Sequence, residues 1–384
     1  MKIDLRFAGV LVVGAVATSA LVLVATDGGG EPDGTGPGAD PFAAPGTAAP
    51  SAGGAGAGAG GAGAAGAAGN GAGTSRQPQN LPLPGSQKRI GCPDASITVK
   101  NGGDLQNRLN VAEPGQVIRL APGTYRGRFA TQKSGTPDKP VFLCGGPRTI
   151  LDGGDAGKGY GLHLDGASHW RLLGFTVRNS QKGVMLDGSS GSVVQGLTVR
   201  DTGDEAIHLR RFSSGNAVQY NSISGTGRRN PRFGEGVYLG SSHNNWGTLT
   251  QGRPDRSDNN LVAANRIRAT AEAVDIKEGT TGGKLTGNVF DGSELSGDKV
   301  NDSWVDAKGN DYVIEGNRGA RTVADGFQTH EEYQGWGTGN VFRRNVIDLG
   351  GAKGFGVNLN SGGNRVACDN RVKGGRLINK GTCS

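Results

Sequence analysis

Polar side chains capable of acid–base or metal chemistry recur at matching positions in short segments of the second half of the chain. The segments DEAIHLRR, GEGVYLGS, AEAVDIKE, DSWVDAKG and ADGFQTHE align on their apolar pairs and give three polar columns. The first column holds His208, Tyr238, Asp275, Asp306 and Gln328. The second follows two residues later with Arg210, Lys277, Lys308 and His330. The third, five residues before the second, holds Glu205, Glu235 and Glu272. Side chains that point the same way from neighbouring strands predict one functional face.

The glutamates of the third column are candidate metal ligands. Stacked β-strands lie about 4.8 Å apart, so Glu205, Glu235 and Glu272 repel one another unless a cation lies among them. Carboxylate oxygens are the ligands that Ca²⁺ prefers, which makes calcium the candidate cofactor. Arg210 and Arg211 can instead neutralise the glutamates without a metal. The sequence alone leaves both interpretations open.

Lys277 is the residue that we expect to act as a base. Its ammonium has Asp275 on the same strand and Lys308 one rung away, and a neighbouring lysine or calcium ion would lower its pKa. Such a lysine suits β-elimination, in which a base removes the C5 proton of a uronate and an acid protonates the leaving glycosidic oxygen. The candidates for the acid, or for binding the substrate and its carboxylate, are Lys308, His330, Tyr238, Arg210, His208 and Gln328.

Three other roles are consistent with the same columns. Asp275 and Asp306 can be the acid and base of a glycoside hydrolase, because adjacent rungs approach the separation of roughly 5 Å that retaining enzymes use. The same residues can instead form exposed ion pairs that contribute little to stability. A solenoid that binds glycan or wall polymer without catalysis also stays open.

A ladder of asparagines predicts how these segments fold. Six asparagines stand two residues before an apolar or small residue, at intervals of 23 to 44 residues: Asn221, Asn265, Asn288, Asn317, Asn345 and Asn370. This repeat is typical of a solenoid in which buried asparagines bond to the backbone of the adjacent rung. We predict an all-β fold, a right-handed parallel β-helix with a short N-terminal capping helix.

Other segments refine this prediction. Leu105, Leu109 and Ala112 share one helical face, which predicts a capping helix over residues 104–112. Residues from about 228 to 260 are expected to leave the stack as a loop. In that loop, four side chains are expected to border a groove: Arg228, Arg229, Arg232 and Trp246. The alternating strand segments include PVFLC, WRLLGFTV, GVMLDG, SVVQGLTV and GVNLNS.

Composition divides the chain into three predicted parts. Residues 1–26 form a signal peptide or N-terminal membrane anchor, and the sequence leaves its cleavage open. Residues 27–86 form a disordered linker rich in Gly, Ala and Pro, and residues 87–384 form the β-helix domain. The whole chain carries a formal charge of +7, but the first 86 residues hold three basic and five acidic side chains, so the β-helix domain carries +9. In an exported protein without nucleic-acid motifs, this positive charge predicts that the partner is an acidic polysaccharide. The alternative is that the charge serves solubility alone.

The cysteines support an extracytoplasmic location. We predict local disulfides between Cys92 and Cys144 and between Cys368 and Cys383, at the two ends of the repeat region. Metal binding by these cysteines is the weaker interpretation, because no CxxC pair accompanies them. The expected protein is secreted or bound to the cell surface, and a capped solenoid of this kind is expected to be a monomer.

Several segments resemble exported right-handed β-helix proteins of the pectate-lyase-like superfold, most closely the alginate lyase and chondroitinase B family. PGQVIRLAPGTYRGRF and SGTPDKPVFL resemble that family's opening coil, and AEAVDIKEGTTGGKLTGNVF resembles its catalytic strand. The resemblance spans about residues 90–384. It implies a polysaccharide lyase in which Lys277 is the base and Glu235 and Glu272 bind calcium. The family's catalytic arginine corresponds to Lys308, and one of its glutamate ligands is replaced by Thr270.

A second resemblance concerns the segment DGFQTHEE. It is similar to the DGFDPHE-type motif of mannuronan C5-epimerases and matches His330 and Glu331, but Gln328 replaces that family's catalytic aspartate. An epimerase shares the proton-abstraction step with a lyase. It then returns a proton to the opposite face of the sugar instead of expelling the leaving group.

Overall fold

The computed structural model describes residues 88–297 and 301–384, which wind into a right-handed parallel β-solenoid of about ten turns. This architecture confirms the predicted fold class. The predicted signal peptide or anchor (1–26) and linker (27–86) lie outside the described residues. Among the described residues, no helix has the length and apolar character needed to cross a membrane.

Each turn of the solenoid is built from short strands. The first ten are β1 Ile97–Val99, β2 Val117–Leu120, β3 Gly123–Arg126, β4 Phe129–Thr131, β5 Val141–Cys144, β6 Thr149–Asp152, β7 Tyr160–Asp165, β8 Trp170–Leu173, β9 Thr176–Arg178 and β10 Lys182–Asp187. The next eleven are β11 Val193–Gln195, β12 Thr198–Arg200, β13 Ile207–Arg210, β14 Ala217–Gln219, β15 Ser222–Ser224, β16 Val237–Leu239, β17 Leu261–Ala263, β18 Arg266–Ile267, β19 Val274–Ile276, β20 Lys284–Thr286 and β21 Val289–Asp291. The last ten are β22 Ser303–Ala307, β23 Val313–Glu315, β24 Arg318–Ala320, β25 Asp325–Thr329, β26 Val341–Arg343, β27 Val346–Asp348, β28 Phe355–Leu359, β29 Arg365–Val366, β30 Arg371–Lys373 and β31 Arg376–Ile378.

These strands form three long sheets in which neighbouring strands run parallel. The first sheet has eleven strands in the order β1-β2-β5-β8-β11-β14-β17-β20-β23-β26-β29. The second, called the site sheet below, has ten in the order β4-β7-β10-β13-β16-β19-β22-β25-β28-β31. The third has ten in the order β3-β6-β9-β12-β15-β18-β21-β24-β27-β30.

Glycines at the corners divide two of the predicted strands. WRLLGFTV forms β8 and β9, and SVVQGLTV forms β11 and β12, so each segment contributes to two sheets rather than one. Gly174 and Gly196 lie at these corners with φ of 80° and 66°, a conformation that glycine adopts readily. The alternating pattern identified the strands, but it did not reveal that the chain bends between them.

The core lies between the three sheets. On the site sheet, Val184 pairs with Ile207 and Leu186 with Leu209, and all four side chains are fully buried. This confirms the alternation of inward apolar and outward polar residues expected from the sequence. The rings of Trp170 and Trp304 are also buried, so these two tryptophans pack in the core and are not exposed for sugar binding.

The asparagine ladder is confirmed along one corner of the solenoid. From Asn265 to Asn370, each ladder oxygen accepts two hydrogen bonds from the asparagine of the preceding rung, one from its backbone N–H and one from its side-chain amide. The oxygen of Asn221, which begins the ladder, accepts from the backbone N–H of Leu197. For Asn288, both bonds come from Asn265 at 3.0 Å. In turn, the Nδ2 of Asn288 donates to the carbonyl of Val262 and to the Oδ1 of Asn317, each at 2.9 Å. The ladder therefore supplies buried backbone groups with partners at a bend where the sheets cannot.

Replacing Asn288 by alanine is expected to lower the free energy of unfolding by about 3 kcal/mol, because it leaves the buried N–H of Asn265 without an acceptor. Urea unfolding of the domain measures this change. Asn107→Ala, at an exposed helical position, is the control and is expected to change stability by less than about 0.5 kcal/mol. Equal stability of the two variants would contradict the structural role of the ladder.

The capping helix α1 spans Gly102–Asn110, two residues earlier than predicted at both ends. It begins there because the side chain of Asn101 accepts a hydrogen bond from the backbone N–H of Asp104 at 2.9 Å. Leu105 and Leu109 cover the first coil, and the side chain of Gln106 bonds to the N–H and carbonyl of Ala130 in β4. This contact saturates part of an edge strand that is open to pairing with another chain.

Both predicted disulfides are present, Cys92 with Cys144 and Cys368 with Cys383. The predicted loop over residues 228–260 is only partly correct, because Val237–Leu239 rejoins the stack as β16. Around it lie two short 3₁₀ helices, Pro231–Phe233 and His243–Asn245, and the short helix α2, Trp246–Leu249. A further 3₁₀ turn spans Gly292–Glu294.

Candidate active site

The predicted polar columns lie in register on the outward face of the site sheet. Cα pairing places the first column on consecutive strands: His208, Tyr238, Asp275, Asp306 and Gln328. Two residues later, the backbone N–H groups of Lys277, Lys308 and His330 bond to the preceding rungs. The sequence could predict this face because the ladder and the apolar pairs fix the register, and residues two apart on a strand point the same way.

Three buried carboxylates meet at this face, and we call them the acidic trio. Glu235, Glu272 and Asp275 each offer an oxygen atom, and these atoms lie within 4.8 Å of one another. Within the described residues, the buried Oε2 of Glu235 has no hydrogen-bond partner. A buried carboxylate oxygen without a partner is costly, and a hard divalent cation such as Ca²⁺ would satisfy it. The donor set therefore fits a calcium ion.

The electrostatics of the acidic trio agree with this fit. Burial raises the pKa of Glu235 well above its ordinary value, and the negative charges of Glu205, Glu272 and Asp275 raise it further. Burial and the charge of Asp275 raise the pKa of Glu272 to about 8. These raised pKa values mean that Glu235 and Glu272 favour either a bound proton or a nearby cation that neutralises them.

The acidic trio differs in one member from the predicted metal set of Glu205, Glu235 and Glu272. The Oε1 of Glu205 lies 3.0 Å from the Nζ of Lys182 and 3.2 Å from the Nδ1 of His208. Asp275 completes the group of close oxygens instead. The strand alignment alone could not show whether Glu205 or Asp275 belongs to the acidic trio. The outcome depends on Lys182, which pairs with Glu205 and lies outside the aligned segments.

The raised pKa of Glu272 predicts how stability depends on pH. Between the ordinary value of 4.5 and about 8 the folded chain holds a proton that the unfolded chain releases. The free energy of unfolding therefore falls as pH rises through this window. In chelator, we expect the melting temperature to fall by roughly 5 °C between pH 5 and 8, equivalent to about 2 kcal/mol. Saturating calcium should oppose this fall.

Calorimetry of the Glu272→Gln variant tests whether Glu272 causes this pH dependence. Because an amide does not titrate, the melting temperature of this variant in chelator should change less between pH 5 and 8. Glu113→Gln, at an exposed position, should leave the profile unchanged. Identical profiles with calcium and with chelator, and no flattening by Glu272→Gln, would show that the acidic trio neither binds calcium nor carries the extra proton.

Two lysines connect the acidic trio to the outward face. The Nζ of Lys277 lies 2.9 Å from Oδ2 of Asp275. The Nζ of Lys308 lies 2.9 Å from Oδ1 of Asp275 and 2.7 Å from Oδ2 of Asp306. Lys277 also lies 5.0 Å from the centre of the Tyr238 ring. Asp275 is thus shared between the acidic trio and both ammonium groups.

The predicted lowering of the Lys277 pKa is wrong for this arrangement. Burial by itself lowers the pKa of Lys277, but the carboxylates of Asp275 and Glu278 raise it well above its ordinary value. The same balance raises the pKa of Lys308, where Asp275 and Asp306 outweigh burial. The sequence pattern gave too much weight to the neighbouring lysine, because it could not show direct contact with Asp275. A cation bound by Asp275 would offset the negative charge that raises the lysine pKa.

The other predicted residues extend the face in both directions. The Nε2 of Gln328 donates to Asp302 at 2.7 Å and to Asp325 at 2.9 Å, and its Oε1 lies 2.8 Å from Nε2 of His330. His330 also lies 3.7 Å from Asp306. These contacts place Gln328 and His330 in one polar network beside Lys308. Their predicted contact with substrate stays a prediction.

His208 and Arg210 lie on the N-terminal side of Lys277. His208 is fully buried, with Nε2 2.9 Å from the carbonyl of Gly240 and its ring centre 4.4 Å from that of Tyr238. The guanidinium of Arg210 donates to Asp187 at 2.8 Å and to the hydroxyl of Tyr160 at 3.3 Å. Both side chains therefore already hold neighbouring groups in place, and their predicted contact with substrate stays a prediction.

Sequence reasoning missed an aromatic wall formed by His243, Trp246 and Tyr333. The ring of Tyr333 lies 5.2 Å from each of the other two rings. The Nδ1 of His243 lies 2.7 Å from Glu278, the residue after Lys277, which places the wall beside the lysine column. Tyr333 is 46% exposed. The sequence pointed to Trp246 as a groove residue, but Trp246 is buried and Tyr333 is the exposed ring. Tyr333 comes from a distant loop, and no local pattern links the two.

Comparisons with known proteins agree with this architecture. A family model described as a right-handed β-helix region matches residues 149–304. The crystal structure of an alginate lyase from Paenibacillus sp. str. FPU-7 shares 34% identity with a TM-score of 0.70, covering 75% of this chain and 99% of that one. The pectate lyase Pel9A shares 14% identity with a TM-score of 0.50, covering 73% of this chain and 80% of its own. No curated protein sequence matches the chain.

The Pel9A likeness shows the fold alone, but the Paenibacillus enzyme is matched over nearly its entire length at an identity that indicates common descent. The described residues also form a parallel solenoid with the predicted columns in register. The chain belongs to the family of right-handed parallel β-helix proteins that includes the alginate lyase from Paenibacillus sp. str. FPU-7.

Proposed function

We propose that this protein is a polysaccharide lyase that cleaves a uronate-containing polysaccharide by β-elimination, with alginate as the first substrate to test. The observation that carries the proposal is the position of Lys277, whose ammonium contacts Asp275 of the acidic trio and the face of Tyr238. A base, an acid and carboxylates able to hold a cation are the groups that this reaction needs. The 34% identity to an enzyme described as an alginate lyase supports the same chemistry.

In the proposed reaction, Lys277 removes the proton from C5 of the uronate. The electron pair of the C5–H bond forms the C4–C5 double bond, and the bond from C4 to the glycosidic oxygen breaks. Tyr238 protonates the departing oxygen, which leaves as a hydroxyl on the other fragment. A calcium ion held by Glu235, Glu272 and Asp275 would neutralise the uronate carboxylate and so acidify the C5 proton.

Lys308 is proposed to bind the substrate rather than act as a base. Its ammonium contacts two carboxylates, Asp275 and Asp306, and both raise its pKa. A cation held by the acidic trio would offset the charge of Asp275 for both lysines, but Lys308 would keep its contact with Asp306. Lys308 therefore stays charged and can attract the uronate carboxylate as the family's arginine would. A lysine is a single point charge, so it binds a carboxylate with less directional control than an arginine.

The hydrolase alternative is less well supported. A glycosidase acid must hold a proton near neutral pH. Burial by itself would raise the pKa of Asp306, but the charges of Lys308 and His330 hold it below its ordinary value. Asp275 is likewise in contact with two ammonium groups. Both aspartates are therefore suited to pairing with lysines, which is one of the interpretations that the sequence left open.

The deciding experiment is ultraviolet absorbance of unsaturated uronate while residues 87–384 are incubated with alginate, pectate and glycosaminoglycans, with calcium or chelator. A rise in this absorbance with one polymer would support elimination and would identify the class of substrate. New reducing ends without this absorbance would indicate hydrolysis. Exchange of the C5 proton with solvent, without chain cleavage, would indicate an epimerase, and retention without turnover would indicate a binding solenoid.

Tyr333, the exposed ring of the aromatic wall, is proposed to stack against a sugar ring of the bound chain. Tyr333→Ala is expected to raise KM for the polymer about threefold to tenfold with little change in kcat, because an aromatic contact contributes roughly 0.5–1.5 kcal/mol to binding alone. Steady-state kinetics on polymer and on short oligosaccharides measures this effect. Tyr333→Phe should retain wild-type values, and a lower kcat with unchanged KM would contradict a binding role.

The proposed location is outside the cytoplasm. The Cys92–Cys144 and Cys368–Cys383 disulfides are typical of proteins that fold in an oxidising compartment. A polysaccharide substrate would be met in the same compartment. Export by the segment at residues 1–26 remains part of this proposal.

A further inference from the structure

The residues that follow the ladder asparagines form a row on the outward face of the third sheet. Each is the first residue of its strand, and Cα pairing places them on consecutive rungs: Arg266, Val289, Arg318, Val346 and Arg371. We call the three arginines the arginine row. Since rungs repeat at about 4.8 Å, successive arginines are spaced by about 9.6 Å along the solenoid axis.

The asparagine ladder fixes this spacing. The backbone N–H of Arg266 donates to the carbonyl of Asn221, that of Arg318 to Asn288, and that of Arg371 to Asn345, at 2.8–2.9 Å. Row and ladder therefore share one register, and the row cannot shift without breaking the buried ladder bonds. A regular array of charges on a rigid scaffold needs little reorganisation to bind an equally regular ligand.

The positive charge of the arginine row is not cancelled by its surroundings. Its three arginines are exposed, and within the described residues none forms an ion pair with a carboxylate. Three nearby acids on the same strands or the adjoining turns are already paired, and a fourth, Asp369, accepts a hydrogen bond from the backbone N–H of Arg344 at 2.8 Å. Asp291 contacts Arg321 at 2.8 Å, Asp348 contacts Lys373 at 2.8 Å, and Glu294 contacts Arg268 at 3.1 Å.

We propose that the arginine row is a second, non-catalytic binding site for an acidic polysaccharide that lies along the solenoid axis. One rung is about as long as one pyranose residue, so alternate arginines match the carboxylates on one side of an extended uronan. Each guanidinium can bind a carboxylate through two hydrogen bonds. The partly exposed Val289 and Val346 between them offer apolar surface to the faces of the sugar rings.

The shape of the arginine row favours a linear polymer over other anions. The row is one residue wide and runs straight along one sheet, whereas a membrane surface would be met by a broad basic patch. It also lies on a different sheet from Lys277, so one protein could hold the polymer at two places. Such a second contact raises the local concentration of substrate near the active site. The choice of a uronan as the polymer rests on the proposed function.

Binding of alginate to the Lys277→Ala variant tests this site, because the polymer is expected to stay intact. Adding Arg266→Ser, Arg318→Ser and Arg371→Ser should weaken binding about tenfold and reduce its salt dependence, since three carboxylate contacts are lost. The control adds Arg108→Ser, Arg128→Ser and Arg148→Ser, which are exposed and change the net charge equally. The control should bind within about twofold of the parent if contacts rather than net charge matter.

Equal weakening in both triple variants, or none in the row variant, would overturn the proposal. The proposal would also be overturned if the row variant lost binding only to vesicles of anionic lipid and not to alginate. That result would assign the row to a membrane surface. In the otherwise unchanged protein, the row variant should keep its kcat on short oligosaccharides. If no polymer yields unsaturated product yet alginate binding depends on the row, the lyase proposal fails and the binding site stands. Elimination without row-dependent binding would support the lyase and overturn the binding site.

Discussion

Replacing Lys277 by alanine is expected to lower the rate of elimination by about 10³-fold, because the chain then lacks the group that removes the C5 proton. Folding should survive the change. Lys308 still contacts Asp275 at 2.9 Å, so this buried carboxylate keeps a cationic partner. Initial rates of unsaturated-uronate formation on alginate, with the melting temperature of each variant, measure the effect.

Lys277→Arg separates the role of a base from that of a positive charge. Arginine keeps the contact with Asp275 but does not lose its proton at any accessible pH, so this variant should be as inactive as the alanine variant. Lys373→Ala, which removes an exposed lysine on the third sheet, should retain full activity. Substantial elimination by Lys277→Arg would show that the residue binds charge and that another group is the base.

Replacing Tyr238 by phenylalanine is expected to slow elimination by about 10²-fold to 10³-fold, because the leaving oxygen must then depart without a proton from this residue. The substitution keeps the ring that contacts His208 at 4.4 Å and Lys277 at 5.0 Å. The loss should therefore fall on kcat rather than on folding. The same absorbance assay measures it.

The choice of leaving group tests whether Tyr238 is the acid. A uronide that carries fluoride or nitrophenolate at C4 expels it without protonation, so Tyr238→Phe should recover most of its rate on that substrate. Tyr160→Phe is the matched control, since Tyr160 lies three strands away from Tyr238 on the same sheet and has no proposed role in protonating the leaving group. If Tyr238→Phe is equally impaired on both substrates, its hydroxyl does something other than protonate the leaving group.

The sequence predicted much of the fold because the repeating unit is local. A ladder asparagine, a corner and an apolar pair recur within a few residues of one another, and each unit stacks only on its neighbours. The structure contains a second ladder that the sequence did not predict. The Oδ1 of Asn260 accepts from the backbone N–H of Asn216, and the Oδ1 of Asn364 accepts from that of Asn340. Between these pairs, the equivalent positions hold Gly283 and Tyr312, so no continuous asparagine pattern was visible.

The sequence likewise predicted only part of the candidate site. Register placed Tyr238, Asp275 and Lys277 on one face, and this followed from alternation along the strands. The register did not decide which neighbouring charge each side chain contacts. Glu205 contacts Lys182, whereas Asp275 joins the acidic trio and draws both lysines towards it. These contacts depend on side-chain rotamers and on distances of a few ångströms, which an alignment of the strand segments does not give.

The sequence by itself determined a right-handed parallel β-helix, its strand register, its disulfide pairs and the face that carries the polar columns. These properties rest on short-range repeats that every rung reinforces. Only the tertiary structure decided the membership of the acidic trio, the direction of the Lys277 pKa and the aromatic wall of His243, Trp246 and Tyr333. Each of these depends on side chains brought together from distant loops and rungs, where burial and charge act over separations that the sequence does not encode.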